Sequence, residues 1–178
     1  MSDLHARALS KKYSNVRVVN IDLSETYETL LFHVDMDFVE NQLANANTKS
    51  RLRMVTLYQV AGSVGGIVVC TGNKVEDYGI GFYTKYGDGG VDIAPIADLY
   101  KTEVWELGKH VGVDERIIDA IPTDGLWDDG RKDEDQIGAT YEQLEEAMEY
   151  RRGPALDILD EYNKKNSHKM NPIPTFKL

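Results

Sequence analysis

The stretch Ile67–Leu99, IVVCTGNKVEDYGIGFYTKYGDGGVDIAPIADL, decides the fold that the sequence predicts. It begins with the apolar run Ile67–Cys70, which is rich in β-branched residues. Such a run predicts a strand that is buried on both faces, as in a parallel sheet. The strand ends at Thr71, and the acidic residue Glu76 follows after only four more positions.

The segment that follows, Tyr83–Gly90, is too rich in glycine to form a regular element. Three glycines in four positions allow backbone N–H groups to approach a ligand closely or to adopt a positive φ. Lys85, Asp88 and Asp92 place charges of both signs beside this backbone. Because ligands of open parallel sheets bind where loops leave the carboxyl ends of strands, the segment is a candidate site. The alternative is an ordinary surface loop with solvated charges.

The rest of the chain alternates between helical and extended patterns. A strand is predicted for Val16–Ile21, and helices are predicted for Leu4–Tyr13, Ser24–Phe32, Asn47–Ala61, Thr102–Val111, a segment that Thr140 caps, and Ala155–Asn163. This order predicts one α/β domain over residues 1–178, with an open, mostly parallel sheet and helices on both of its faces. The charged segment 126–138 is predicted to be a mobile loop beside the site, and 164–178 an extended tail.

Composition narrows the class of protein. The 178 residues carry a net charge of −10, from 20 basic and 30 acidic residues, which disfavours nonspecific nucleic-acid binding. One cysteine, Cys70, excludes an internal disulfide and fits a reducing compartment. Neither a signal peptide nor a membrane-spanning run is recognisable. These features predict a soluble cytoplasmic protein.

Two segments, TGNKVE at 71–76 and GFYTKYGDGGVDIAPIADLYKTEV at 81–104, resemble the signature of the ammonia-dependent NAD synthetase family. The resemblance extends in weaker form from about Asn45 to the C-terminus. It implies a Rossmann-like fold of the adenine nucleotide alpha hydrolase type and a homodimer. It also implies a ligase of NAD biosynthesis that amidates deamido-NAD with ammonia through an acyl-adenylate, consuming ATP and releasing AMP and pyrophosphate, with Mg²⁺ as cofactor.

The resemblance also implies roles for individual residues. Three positions match ATP contacts: Thr71, Lys101 and Thr123. Five match deamido-NAD contacts: Arg51, Lys85, Asp92, His168 and Lys169. Glu76 matches the Mg²⁺ ligand. Mg²⁺ prefers carboxylate and phosphate oxygens, which agrees with a glutamate at this place. A cation at the start of a helix, as Lys101 is, is unfavourable unless an anion lies beside it. No residue is assigned a catalytic role beyond positioning the substrates.

One part of the family pattern is missing from the sequence. The pyrophosphate loop SGGxDS, which follows the first strand in the family, does not occur. The nearest string, Ala61–Gly66, lies between a helix and the strand at Ile67 and has no acidic residue. The chain is therefore expected to correspond to the C-terminal two-thirds of a synthetase subunit, without its first strand and loop, and to be inactive alone. Ammonia is the simpler nitrogen source, and glutamine stays open for a complete protein.

Two other functions stay open. The chain is compatible with a non-catalytic module that keeps substrate binding and subunit contacts. It is also compatible with another ATP pyrophosphatase that uses a different acceptor acid, although the KYGDGGVD run favours the dinucleotide synthetase. The helix Asn47–Ala61 has apolar residues on more than one face, and a symmetric dimer is a common way to bury such a surface.

Overall fold

The computed structural model describes residues 2–127 and 129–176. In this part of the chain the elements are α1 (Ser2–Lys12), α2 (Ser24–Phe32), α3 (Met36–Val39), α4 (Gln42–Val64), a π-helix (Lys74–Ile80), α5 (Lys101–Val111), α6 (Glu115–Ile118), α7 (Asp133–Ile137), α8 (Tyr141–Tyr150) and α9 (Leu156–Met170). No helix among these residues is both long and apolar enough to cross a membrane. Every helix that the sequence predicts is present; Ser24–Phe32 has the predicted bounds, and the other helices differ at one or both ends.

Local capping explains where the main helices begin. The capping box predicted for α8 is confirmed: Thr140 Oγ1 accepts from the Gln143 N–H at 3.3 Å, and Gln143 Oε1 accepts from the Thr140 N–H at 3.2 Å. The longest helix, α4, begins earlier than predicted because the Asn41 side chain accepts from the Ala44 N–H at 3.0 Å. It ends at Gly65, whose φ of 67° breaks the helical path.

The core lies between the π-helix and helices α7, α8 and α9. Its fully buried members share apolar side chains on the inward faces of these elements: Val75, Ile80, Ile137, Tyr141, Leu144, Ala147, Ala155 and Leu159. The inward positions of α8 and α9 follow helical spacing, as the sequence indicates. The π-helix, which was not predicted, therefore carries the residues after Thr71 directly into the core.

The open parallel sheet that the sequence predicts is not formed in the described residues. Their one β-bridge is a parallel contact between Val69 and Ile93. Around it, Cys70 N donates to Ile93 O at 2.8 Å and Asp92 N donates to Val68 O at 2.9 Å. These bonds use one edge of the segment 67–70, and within residues 2–127 and 129–176 no strand pairs with its other edge.

The second predicted strand shows why no ladder forms. Residues 16–21 form no regular element, and Val18, Val19 and Ile21 are exposed and pair with no strand of the described chain. An apolar groove of about 610 Å³ separates this segment from Ile67–Val69. A sheet needs adjacent backbones about 4.8 Å apart, so two segments on opposite sides of a groove remain unpaired.

Two predicted boundaries near the C-terminus need correction. The segment 126–138 is not all loop, because it contains α7, whose Asp133 and Ile137 are buried; Asp128 lies outside the described residues. The predicted tail at 164–178 is helical as far as Met170, and 177–178 lie outside the described residues. The helix continues because Asn166 Nδ2 donates to Ile80 O at 2.7 Å, which fixes the last turns of α9 on the core.

Candidate functional site

The site is built where the segment 67–70 ends and the π-helix begins. Asn73 is buried, and its Oδ1 accepts from the N–H groups of Val75 at 2.9 Å and Glu76 at 3.1 Å. The N–H of Lys74 donates to Leu99 O at 2.8 Å. These bonds start the π-helix three residues after Thr71 and place Glu76 in its first turn. Sequence reasoning missed Asn73, although an asparagine before a helix is a recognised capping signal.

Glu76 is the centre of a buried polar network. Its Oε1 accepts from Lys101 Nζ at 2.9 Å and from the Tyr141 hydroxyl at 2.8 Å. The exposed fractions of the Glu76 and Lys101 side chains are 16% and 18%. Glu76 Oε2 receives no protein donor among the described residues. One carboxylate oxygen is thus held by two donors, while the other has no protein donor in the described structure.

Asp133 extends this network from the far side of Tyr141. Its Oδ2 lies 3.3 Å from the Tyr141 hydroxyl, and its Oδ1 is buried without a hydrogen-bond partner in the described structure. Burial, with the nearby charges of Glu76 and Asp124 as smaller causes, raises the pKa of Asp133 to about 6. Burial and the same glutamate also raise the pKa of Tyr141, which keeps the hydroxyl protonated.

The start of α5 explains how a cation is tolerated there. Lys101 is the first residue of the helix, and Glu76 supplies the neighbouring anion that the sequence argument requires. Other carboxylates bond the backbone beside it: Glu145 Oε1 accepts from Thr102 N at 3.1 Å, and Glu103 Oε2 accepts from Tyr100 N at 2.7 Å. Two carboxylates of the protein thus already bond backbone N–H groups at the N-terminus of α5.

A cavity opens beside Glu76. It has a volume of about 120 Å³, and Thr71, Glu76, Asp77 and Asp88 supply its polar lining. Burial raises the pKa of Asp77 to about 6. A neighbouring cleft of about 260 Å³ shares Thr71 and Asp88 with this cavity and continues to Arg53, Asp124 and Leu126. Together they form one cleft whose lining contains both a cation and several carboxylates.

The glycine-rich segment closes onto α4 rather than presenting open backbone. Ser50 Oγ donates to Asp88 Oδ1 at 2.7 Å and accepts from Asp88 N at 3.0 Å. The N–H groups of Gly87 and Gly89 both bond Thr84 O, at 2.9 and 3.3 Å. A Cβ on Gly87 would overlap the Ser50 hydroxyl. The expectation that these N–H groups face a ligand is therefore wrong here, because glycine serves close packing and an internal turn.

Four of the five predicted deamido-NAD residues are gathered around this segment. Arg51 Nε donates to Lys85 O at 3.3 Å, and Lys85 Nζ donates to His168 O at 2.6 Å. Lys169 Nζ donates to two carbonyls, Gly81 O at 2.9 Å and Tyr83 O at 2.8 Å. Burial lowers the pKa of Lys169. The end of α9, the middle of α4 and residues 81–85 thus form one basic cluster.

The remaining predicted residues lie elsewhere. Asp92 Oδ2 accepts from Val68 N at 2.7 Å, which uses the carboxylate to terminate the short β-contact. Thr123 is exposed and precedes Asp124, which lines the cleft. Neither Lys85 nor Asp92 lines the cavity that contains Glu76. The structure therefore brings Thr71, Glu76 and Lys101 together, but separates them from the basic cluster and from Asp92.

The donor set around Glu76 limits what metal it fits. Within residues 2–127 and 129–176, no group of three or more His, Cys, Asp or Glu side chains is arranged to hold a metal ion. A single free carboxylate oxygen at a cavity fits a hard cation that takes its other ligands from phosphate and water, as Mg²⁺ commonly does. It does not fit a transition metal held by protein groups alone.

Comparison with known proteins gives consistent results. A family model described as NAD synthase matches residues 2–173. The NH3-dependent NAD+ synthetase of Finegoldia magna is 38% identical over 172 residues, covering 96% of this chain and 69% of that protein. The enzyme of the same name from Carboxydothermus hydrogenoformans is 39% identical over 159 residues, covering 87% and 65%. The chain thus spans about two thirds of the length of these curated relatives.

A solved structure is also similar. It is the NMN synthetase of Francisella tularensis, which is 30% identical, covers 99% of this chain and 74% of its own, and gives a TM-score of 0.86.

Proposed function

Because this chain belongs to the NAD synthase family, we propose that it takes part in ATP-dependent amide formation in NAD biosynthesis. The acceptor is deamido-NAD, whose nicotinate carboxylate is activated as an acyl-adenylate and then attacked by ammonia, with release of AMP and pyrophosphate. The observation that carries this proposal is the Glu76–Lys101 pair beside Thr71, at positions that the resemblance assigns to Mg²⁺ and ATP.

The cleft provides what activation of a carboxylate requires. Arg53 brings positive charge into the cleft lining, and Lys101 brings a second cation next to Glu76, where phosphate charge must be neutralised. Thr71 contributes a hydroxyl at the point where the two cavities join. Thr123 does not line the cleft itself, but it precedes Asp124, which does. These groups bind and orient ATP, and none of them reacts covalently.

Glu76 is the residue that would hold the divalent cation. Its Oε2 lacks a protein donor in the described structure, its Oε1 is already held, and the residue lines a cavity. When bound, Mg²⁺ neutralises charge on the ATP phosphates and so favours attack at the α-phosphate.

The basic cluster is the proposed contact surface for deamido-NAD. Arg51, Lys85 and Lys169 place three cations around residues 81–85, where a dinucleotide phosphate can bind, and His168 joins them through its backbone carbonyl. Lys85 and Lys169 are bonded to backbone carbonyls, so substrate must replace or share those bonds. Asp92 is part of the proposal by resemblance alone, because its carboxylate bonds Val68 N.

Subunit assembly is a further part of the proposal. Val55, Leu57, Val60 and Val64 of α4 are exposed. We expect this helix to be covered by a second copy in a homodimer, since a symmetric contact is the commonest way for identical chains to bury such a face.

A second acceptor is favoured by one observation. The TM-score of 0.86 relates this chain to an NMN synthetase, whose product has the nicotinamide ribonucleotide half of NAD. Nicotinic acid mononucleotide presents the same carboxylate and ribose phosphate as deamido-NAD but lacks the adenylate half. The greater identity to the NAD+ synthetases, 38–39% against 30%, supports the dinucleotide.

Thermal unfolding with each acceptor tests the proposal. A ligand that binds the folded chain raises Tm according to its concentration and affinity. With ATP and Mg²⁺ present, deamido-NAD is expected to raise Tm more than nicotinic acid mononucleotide at equal concentration. The reverse order would favour the second acceptor, and no shift with either acid would contradict both candidates.

A turnover assay with ammonium, monitoring AMP and the amide product, tests the expected inactivity of the chain alone. We expect product near background, because the sequence has no SGGxDS loop to hold pyrophosphate. Rapid turnover would contradict the view that this loop is essential, while leaving the assignment of the cleft intact.

A further inference from the structure

Tyr141 makes a contact that neither the sequence motifs nor the proposed function assigns. Its hydroxyl donates to Glu76 Oε1 at 2.8 Å, although the two residues are 65 positions apart. The residue is fully buried, with 0% of its surface exposed. Because Lys101 Nζ bonds the same oxygen, both protein donors converge on one side of the carboxylate and leave Oε2 without a protein donor in the described chain.

The phenol ring is held more rigidly than the lysine. Tyr141 is the first residue of α8 and belongs to the buried core. Its ring contacts that of Trp105 edge to face, with centroids 6.0 Å apart and an angle of 78° between the ring planes. The Lys101 ammonium lies 4.9 Å from the centroid of the same ring. A lysine chain has four rotatable carbons, whereas a packed phenol can move its hydroxyl very little. The tyrosine is therefore the donor that fixes the direction of the Glu76 carboxylate.

The Tyr141 hydroxyl has two carboxylates within reach, and the shorter distance decides which of them accepts its proton. A hydroxyl has one proton to donate, and the Tyr141 hydroxyl lies 2.8 Å from Glu76 but 3.3 Å from Asp133 Oδ2. The shorter contact takes the proton. Asp133 covers the other side of the hydroxyl and restricts its rotation.

We propose that Tyr141 is a positioning residue that holds Glu76 by Oε1, so that Oε2 is turned toward the cavity beside Thr71 as a ligand for a divalent cation. This inference rests on the proposed function, in which Glu76 binds the cation that accompanies ATP. It adds a residue that the motif does not contain. Outer groups that orient a metal ligand commonly contribute 10- to 100-fold to metal affinity.

Binding of Mn²⁺, a paramagnetic probe for Mg²⁺, tests the role directly. Free Mn²⁺ is measured by electron paramagnetic resonance with the chain and ATP, for the wild type and for Tyr141→Phe, Tyr162→Phe and Glu76→Gln. We expect Tyr141→Phe to raise the Kd for Mn²⁺ by about 10-fold. Tyr162→Phe is the matched control, because its hydroxyl donates to Gln136 O at 3.1 Å in the same core and does not contact Glu76.

The affinity for deamido-NAD separates positioning from general loss of structure. Positioning predicts that Tyr141→Phe weakens Mn²⁺ binding and leaves deamido-NAD binding within about 2-fold of wild type. Equal weakening of both would overturn the proposal, as would Mn²⁺ binding equal to that of wild type while Glu76→Gln loses it. In that last case the proposed function stands. If Glu76→Gln binds Mn²⁺ like the wild type, or if the wild type does not bind it, the proposed role of Glu76 fails as well.

A measurement on the wild type covers the case in which Tyr141→Phe does not fold. In a chain with ¹³C-labelled tyrosine, Mg²⁺ added with ATP is expected to shift the Cζ resonance of Tyr141 and to leave that of Tyr162 in place. An unchanged Tyr141 resonance at saturating Mg²⁺ and ATP would overturn the proposal.

Discussion

The Lys101 ammonium lies 2.9 Å from Oε1 of Glu76, on an oxygen that already accepts a bond from Tyr141. This pair joins the first turn of the π-helix to the first turn of α5. It explains why a lysine begins a helix, where the dipole alone disfavours it. It also places the predicted metal ligand and the predicted ATP lysine in direct contact.

Removing the lysine from this pair should destabilise the fold. Lys101→Met removes the counter-ion of Glu76, whose side chain is largely buried. We expect the free energy of unfolding to fall by about 2 kcal/mol, which lies between the typical losses for breaking a surface ion pair and a buried one. Urea denaturation measures the change. Lys74→Met is the control, because its partner Asp98 has a 99% exposed side chain and the pair should contribute little. Equal losses in the two variants would contradict a special role for the Glu76 pair.

Asp133 should make stability depend on pH. Its pKa is raised from 3.8 to about 6 in the folded chain, so the folded state binds this proton more tightly than the unfolded state. The resulting stabilisation is complete below about pH 4 and is lost as pH rises through 6. Asp133→Asn removes this loss. Its free energy of unfolding relative to wild type should therefore rise by about 2 kcal/mol between pH 4 and pH 7.

Asp135→Asn is the matched control for this pH dependence, since Asp135 lies in the same helix, α7, and is exposed. Chemical denaturation at several pH values gives both curves. A parallel pH dependence for wild type and Asp133→Asn would show that Asp133 does not titrate in this window.

The sequence predicted the helices and the neighbourhood of Glu76 better than the sheet. Capping and periodicity act within a few residues, so Thr140 and the apolar spacing of α8 define that helix without distant contacts. Strand pairing depends on distant neighbours. Val16–Ile21 has a good strand pattern, but no strand pairs with it in the described structure. The pattern of a segment gives no information about whether a partner backbone lies beside it.

The parts of the site that sequence reasoning missed are also long-range. Tyr141 lies 65 positions from Glu76, which its hydroxyl contacts, and Asp133 joins the network through Tyr141. Both contacts depend on how α7 and α8 pack. The glycine segment was interpreted wrongly for a related reason. Its composition permits both an open anion-binding loop and close packing, and the Ser50–Asp88 contact from α4 decides for packing.

Two glycine substitutions test that interpretation. Gly87→Ala would force a Cβ against the Ser50 hydroxyl, with Thr84 Cβ also only 2.9 Å away, and should destabilise the chain by about 1–3 kcal/mol. Gly62→Ala should stabilise it by about 0.5–1 kcal/mol, because this glycine is inside α4 with nothing within 4 Å of the added Cβ. Thermal denaturation compares them. A neutral Gly87→Ala would mean that the segment is not held against α4.

Lys169 should act on the conformation of residues 81–83. Its ammonium bonds the carbonyls of Gly81 and Tyr83, so Lys169→Met leaves both acceptors without that donor. We expect about 1–3 kcal/mol of destabilisation and faster amide hydrogen exchange over 81–85. Lys164→Met, from the exposed face of α9, should change neither quantity. Unchanged exchange in Lys169→Met would contradict this role.

The central claim is that the basic cluster around residues 81–85 binds a phosphorylated dinucleotide. Calorimetric titration of deamido-NAD into the chain, with ATP and Mg²⁺ present, tests it most directly when repeated with Lys85→Ala and with Lys109→Ala, a change at an exposed lysine of α5. The account predicts saturable binding to wild type, similar binding to Lys109→Ala, and about 10-fold weaker binding to Lys85→Ala. Absence of binding, or equal affinity for Lys85→Ala and wild type, would contradict it.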